Sequence, residues 1–186
     1  MKVTKEQATL NREKLVDAAA RLYRERGLLG IGLADLCKSV GLTHGGFYKQ
    51  FPGGKEELAA LAIERAFKDT AAYWANASDL HTVIDAYIST RHCDARDGCP
   101  IPYLAADAAR SDGDVAHAFT RGVNQLLDFL ATLSDAENPS ERSAEAAQAL
   151  AMAVGAVLIA RAMPQGKDAA AFIQQVKQPL TGEDER

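Results

Sequence analysis

Apolar residues recur along this chain with a helical period, and nowhere does the two-residue alternation of a half-buried strand replace it. From Asn11 onward, Leu15, Ala19, Leu22 and Tyr23 form one stripe while Arg12, Glu13, Arg21, Arg24 and Glu25 face water, and Gly27 ends the helix. Leu33, Leu36, Cys37 and Val40 stand at i, i+3, i+4 and i+7 and predict a short second helix. A brief third helix, anchored by Phe47 and Phe51, follows at once. After Pro52-Gly53-Gly54 the pattern predicts a long helix from Lys55 to about Trp74 through Leu58, Leu61, Ala62, Ile63 and Phe67. Further helices are expected from Leu80 to about Arg91, across Tyr103, Leu104 and Ala108, from Asp114 to Leu133, from Ala144 to Met163, and from Asp168 through Phe172, Ile173 and Val176. The polar stretches 91–100 and 134–143 read as loop and linker, 1–10 as a flexible arm, and 181–186 as a frayed tail. The expected fold class is all-α.

The segment from Leu33 to Phe51 carries more than packing. Gly41 can take the left-handed conformation that ends a helix, and Thr43 is an N-cap whose hydroxyl accepts from the first N–H groups of the next one. Two short helices joined by a Gly-containing turn, with His44, Gly45, Tyr48 and Lys49 on the free faces of the second, have the form of a DNA-reading helix-turn-helix. The same form occurs inside ordinary helical proteins, so charge has to decide. Residues 1–55 hold ten Lys/Arg against five Asp/Glu, whereas 56–186 hold eleven against twenty. A chain of formal net charge −4 therefore concentrates its cations in its first third, an electrostatic footprint for phosphate. Lys55 sits against the dipole in the first turn of its helix, compensated by Glu56 and Glu57, and reads as a phosphate contact.

Gly27, the run Ile31-Gly-Leu-Ala-Asp-Leu-Cys37, the run Val40-Gly-Leu-Thr-His-Gly-Gly-Phe-Tyr-Lys-Gln-Phe51, and Lys55-Glu-Glu-Leu58 together resemble the N-terminal domain of the TetR (tetracycline repressor) family of bacterial transcription regulators, over residues 11–60. Gly32 stands where that family commonly caps the second helix with Ser or Thr, and Gln50 where it commonly has His. Lys55 follows Phe51 at a spacing one residue longer than in most members. The resemblance implies an all-helical homodimer whose third helix enters the major groove of a double-stranded DNA operator and whose C-terminal domain binds a small-molecule effector that releases the DNA. On that reading residues 1–54 are the helix-turn-helix DNA-binding domain, with Thr43, His44, Gly45, Gly46, Tyr48, Lys49 and Lys55 as its DNA-binding residues, and Gly45 and Gly46 letting the backbone close to the duplex. Residues 55–186 are the helical ligand-binding and dimerisation domain. Trp74, Tyr87, Tyr103, His117 and Phe119 are the effector-binding candidates, although aromatics at helical spacing are singly core residues more often than ligand contacts.

The helix expected from Ala144 is apolar on nearly every side and must be covered on nearly every side. Its Ala- and Gly-rich face, with Ala151, Gly155, Ala156 and Ile159, is the expected interface with a second copy. At about fifteen apolar residues it falls short of the roughly 20 that span a bilayer, and Met1 to Gln7 carries no apolar signal core. A cytoplasmic protein with no membrane partner is the expectation.

Three cysteines make no disulfide framework. His92-Cys93 and Cys99 lack both the zinc spacing and a fourth ligand, so neither metal nor cofactor is expected. Cys99, before Pro100 at a helix start, is a candidate redox or electrophile sensor and hence an alternative trigger for DNA release. Without a Ser-His-Asp order, a phosphate loop or a paired carboxylate motif, no enzyme is expected. A helical thiol-dependent reductase using Cys93 and Cys99 is the enzymatic alternative.

Overall fold

The computed structural model describes residues 4–94, 98–164 and 166–181. Among the described residues the chain forms ten helices and no strand. They are α1 (Lys5–Arg26), α2 (Leu33–Ser39), α3 (His44–Gln50), α4 (Gly54–Trp74), α5 (Leu80–Tyr87), α6 (Thr90–Asp94), α7 (Ile101–Ala108), α8 (Gly113–Thr132), α9 (Pro139–Ala162) and α10 (Lys167–Thr181).

Three boundaries differ from the sequence expectation, each because a cap outweighs local polarity. Residues 5–10 of the expected arm are helix: Thr4 accepts from the Gln7 N–H at 3.1 Å and starts α1 six residues early. The linker 134–143 is likewise half helix. Asn138 caps α9 through the Ser140 N–H at 2.8 Å, with Pro139 just inside the helix, where its missing N–H costs nothing. The helix expected from Leu80 to Arg91 breaks after Tyr87, and Ser89 starts α6 by accepting from the His92 N–H at 3.1 Å. Residues 95–97 of the expected loop lie outside the described residues, as does most of the expected tail, 182–186.

The chain divides into two compact units. The first, Met1–Thr70 with Cys99–Val123, contains α1 to α3, most of α4, α7 and the first half of α8. Its centre is Leu15, Tyr23, Ile31, Leu36, Phe47, Phe51, Leu58, Ile63 and Leu104, all essentially without solvent exposure. Each such side chain contributes about 1.5–3 kcal/mol by leaving water. Packing thus places α7 with the helix-turn-helix, whereas the functional division into 1–54 and 55–186 follows what each part is expected to bind.

The second unit, Ala71–Gly98 with Asn124–Arg186, is built on α9. Ala146, Ala149, Leu150, Ala153, Ala156, Val157 and Ala160 recur at helical spacing and pack on α5, α6 and α10. At 24 residues, with a mean hydropathy of 1.6 over its most apolar window, α9 is long and apolar enough to cross a bilayer, which corrects the shorter span expected from sequence. One face of it is nonetheless packed within its own unit.

Candidate nucleic-acid interface

The helix-turn-helix is assembled from local signals. After α2, Gly41 takes φ +69°, and the Leu42 N–H returns to the Cys37 carbonyl at 2.9 Å, closing the turn. Thr43 Oγ1 accepts from the Gly46 N–H at 3.1 Å and starts α3. Phe47 and Phe51 are both fully buried and stack with centroids 5.2 Å apart, so they fix which face of α3 points inward. Thr43, His44, Gly45, Tyr48 and Lys49 are left exposed, with the Tyr48 ring edge-on to Phe47 at 5.2 Å. A helix of two turns with one face held by two phenylalanines and the other offering hydroxyl, imidazole, ammonium and phenol can place those groups against base edges.

Two expected contacts sit differently. Gly46 is turned inward, since a Cβ there would meet Leu42 at 3.0 Å and the Thr43 hydroxyl at 3.2 Å. It serves the packing of the turn, and Gly45, with open space around it, is the residue that permits close approach. Lys55 is a clearer correction. Its ammonium donates to the carbonyls of Leu28 at 2.8 Å and Ile31 at 2.7 Å, half-buried, and burial pushes its pKa down. It ties the α1–α2 loop to the start of α4 and does not reach out as a solvated cation.

Sequence reasoning missed two residues that hold this interface. Arg12, expected to face water, donates through one nitrogen to the Gln50 carbonyl at the end of α3 and through another to Glu57 at 2.7 Å, and it lies over the Phe51 ring at 4.3 Å. A cation on the last carbonyls of a helix offsets its dipole. Glu57 in turn accepts from the Gly53 N–H at 3.0 Å. Partial burial pushes the Glu57 carboxyl up, but the Arg12 guanidinium and the Gly53 N–H outweigh this and hold it below the usual carboxylate range. Asp107 of α7 is the second, accepting from the Leu28 N–H at 2.8 Å. Arg24, also expected in water, is only 6% exposed.

The effector-binding candidates are divided between the two units. Trp74 and Tyr87 are buried in the second unit, Tyr87 against His92 with centroids 4.2 Å apart; burial and the nearby Arg161 push the His92 pKa down. Tyr103 and Phe119 are half-buried in the first unit, where Phe119 packs edge-on to Phe67 at 5.6 Å. His117 is exposed. The second unit holds an open pocket of about 460 Å³ with Leu80, Ile84, Leu133, Met152, Asp79 and Glu145 among its lining residues, and none of the five candidates lines it.

All three cysteines are buried, Cys99 to 1% exposure. Among the described residues no group of three His, Cys, Asp or Glu is placed to hold a metal. On α9, Ala151 and Ile159 are exposed and Gly155 has open space where a Cβ would go. Ala156, 4% exposed, points into its own unit and is removed from the expected interface.

Residues 15–62 match the family model described as bacterial regulatory proteins, tetR family. An uncharacterized HTH-type transcriptional regulator of Mycobacterium tuberculosis (strain ATCC 25618 / H37Rv) is 33% identical over 102 residues, 52% of this chain and 53% of its own. The HTH-type transcriptional regulator LmrA of Bacillus subtilis (strain 168) is 32% identical over 108 residues, 53% of this chain and 57% of its own. The chain thus spans about half the length of the curated relatives it matches. A crystal structure of a TetR transcriptional regulator from Chloroflexus aurantiacus J-10-FL shares the fold with a TM-score of 0.76 over 95% of both chains, at 20% identity.

Proposed function

We propose that this chain, a member of the TetR family, is a transcriptional regulator that binds a double-stranded DNA operator through α3 and is released from it by a small molecule. The observation that carries the reading is the exposed set Thr43, His44, Gly45, Tyr48 and Lys49 on a helix pinned from behind by Phe47 and Phe51. Residues 1–54 act as the reading head and 55–186 as the body that senses and dimerises. The named relatives are regulators, in keeping with a non-catalytic role.

A homodimer places two heads on successive major-groove half-sites, about 34 Å apart. The stripe of α9 that includes Ala151, Gly155 and Ile159 is the proposed contact between copies, close to two exposed side chains, Met152 and Leu158. Effector binding favours a body conformation in which that spacing is wrong, and repression is relieved. The pocket of about 460 Å³ in the second unit has the size that small ligands occupy, which makes it the candidate we favour over the five aromatic and histidine positions, none of which lines it. Release triggered by oxidation of Cys99 is disfavoured by its 1% exposure, because a reagent in solution meets no thiol there. The cytoplasm is the compartment this function requires.

The test is selection of duplexes from a random pool, followed by titration at two salt concentrations. The expected result is a recovered consensus with steep salt dependence, and a changed consensus for His44→Ala and Lys49→Ala. Binding that is indifferent to salt, or no recovered consensus, overturns the reading.

A further inference from the structure

We propose that Asp107, on a helix of the segment assigned to sensing, is a positioning residue for DNA reading that sets the α1–α2 loop and through it the place of α2 and α3. The inference rests on the DNA-binding function proposed above.

The loop from Gly27 to Gly32 leads directly into α2, and α2 begins without a side-chain cap, because Gly32 has no acceptor to offer. The helix start therefore lacks the side-chain cap that would fix it locally. Two distant side chains do so instead. From α7, Asp107 Oδ2 accepts the Leu28 N–H at 2.8 Å, while its Oδ1 accepts from Arg110 at 2.9 Å and the side chain is only 14% exposed. From α4, the Lys55 ammonium takes the Leu28 and Ile31 carbonyls. The peptide groups around Leu28 are thus gripped on the N–H side by an anion and on the C=O side by a cation.

The residues beside the grip are shaped for it. Gly27 sits at φ +74°, and a Cβ there would stand 2.9 Å from Asp107 Oδ2, so glycine both permits the turn and leaves room for the carboxylate. Leu28 and Ile31 are 7% and 2% exposed, which anchors the side chains of the same loop while the two charged groups set its backbone. The carboxylate acts on the loop and touches no DNA itself.

Three variants separate positioning from general stability. Asp107→Leu keeps the branched outline with a bulkier side chain and removes the acceptor, Asp107→Asn keeps one acceptor oxygen, and Arg110→Ala removes the ion pair while leaving the bond to Leu28. In the free protein, amide hydrogen exchange over residues 28–51 should be about tenfold faster in Asp107→Leu, with α8 unchanged. In DNA binding, the ratio of affinity for a selected duplex over a random duplex should fall about tenfold for the same variant, with random-duplex affinity held within about twofold. Asp107→Asn and Arg110→Ala should stay near wild type in both. Unchanged exchange and ratio in Asp107→Leu, faster exchange throughout α8 as well, or an Asn variant as impaired as the Leu variant would each overturn the proposal. Failure of the wild type itself to select any duplex would overturn the DNA reading and this proposal together, and it is recognised by the absence of binding in every variant.

Discussion

Lys55→Ala separates two jobs that one lysine can do in this fold. As a phosphate contact, Lys55 would release about one counterion on binding, and its loss would lower the slope of log affinity against log salt by about 0.9. The structure instead spends two of its three N–H donors on the carbonyls of Leu28 and Ile31. Losing a charged donor from buried carbonyls costs about 1–3 kcal/mol, or about a 5- to 150-fold change in how often the loop is in place. Affinity for a single half-site falls by at most that factor, because the duplex binds only a head whose loop is set. The expected result is therefore an affinity loss of up to about 150-fold with a slope changed by less than about 0.3. Fluorescence anisotropy on a duplex carrying one half-site, so that a single head is read, resolves both quantities between about 50 and 200 mM salt. A slope lowered by a full unit with little loss at low salt would refute the argument and return Lys55 to the phosphate backbone.

Glu57 is held ionised by Arg12 and the Gly53 N–H, with its folded pKa below its ordinary value of 4.5. Its contribution is fully present above that value and is lost as pH falls through the lower folded value, so acid unfolding of wild type should include a component, below the ordinary value, that Glu57→Gln lacks. Identical acid curves would sink this assignment. On α9, Ile159→Glu, at a side chain 51% exposed, should split the dimer in sedimentation and leave the circular dichroism spectrum intact, whereas Ala156→Glu, 4% exposed, should unfold the second unit. A folded wild-type monomer at micromolar concentration removes the basis for the first half. Gly122→Ala sets a helix gain of about 1 kcal/mol against overlap of the new methyl with the buried Phe67 ring, an overpacking cost of about 1–3 kcal/mol. The clash should win and lower Tm by up to about 8 °C in a chain of this size, while Gly155→Ala, with open space around it, should not lower the Tm of the dilute protein.

The reading head was legible because its signals act over a few residues. Gly41, Thr43, Phe47 and Phe51 each constrain neighbours no more than four positions away, and the turn, the cap and the buried face of α3 all follow from them. What holds the head together was not legible. Arg12 reaches Glu57 across 45 positions and Asp107 reaches Leu28 across 79, and in the sequence each is one more charged residue on a helix. Lys55 belongs with them, since a lysine at a helix start suggests an external anion, and the carbonyls it donates to lie 24 and 27 positions away. The aromatic candidates were chosen by type, which carries no information on which of the two units each one joins.

The limit reached at α9 is of another kind. A helix with a polar face announces its orientation, but one that is Ala, Val, Leu and Gly all round has no phase to read, so Gly155 and Ala156 look equivalent in sequence although they point in different directions. Once the inward stripe is known, the rest of the helix acquires meaning by subtraction. Ala151, Met152, Leu158 and Ile159 remain exposed, three of them large, and exposed apolar side chains on a helix that already packs its other face mark a contact not yet made. A bilayer would require the packed face to leave α5, α6 and α10, giving up the burial that the second unit is built on. A second copy would cover the exposed stripe without disturbing that packing, so the same residues that make α9 apolar enough for a membrane fit the proposed dimer better.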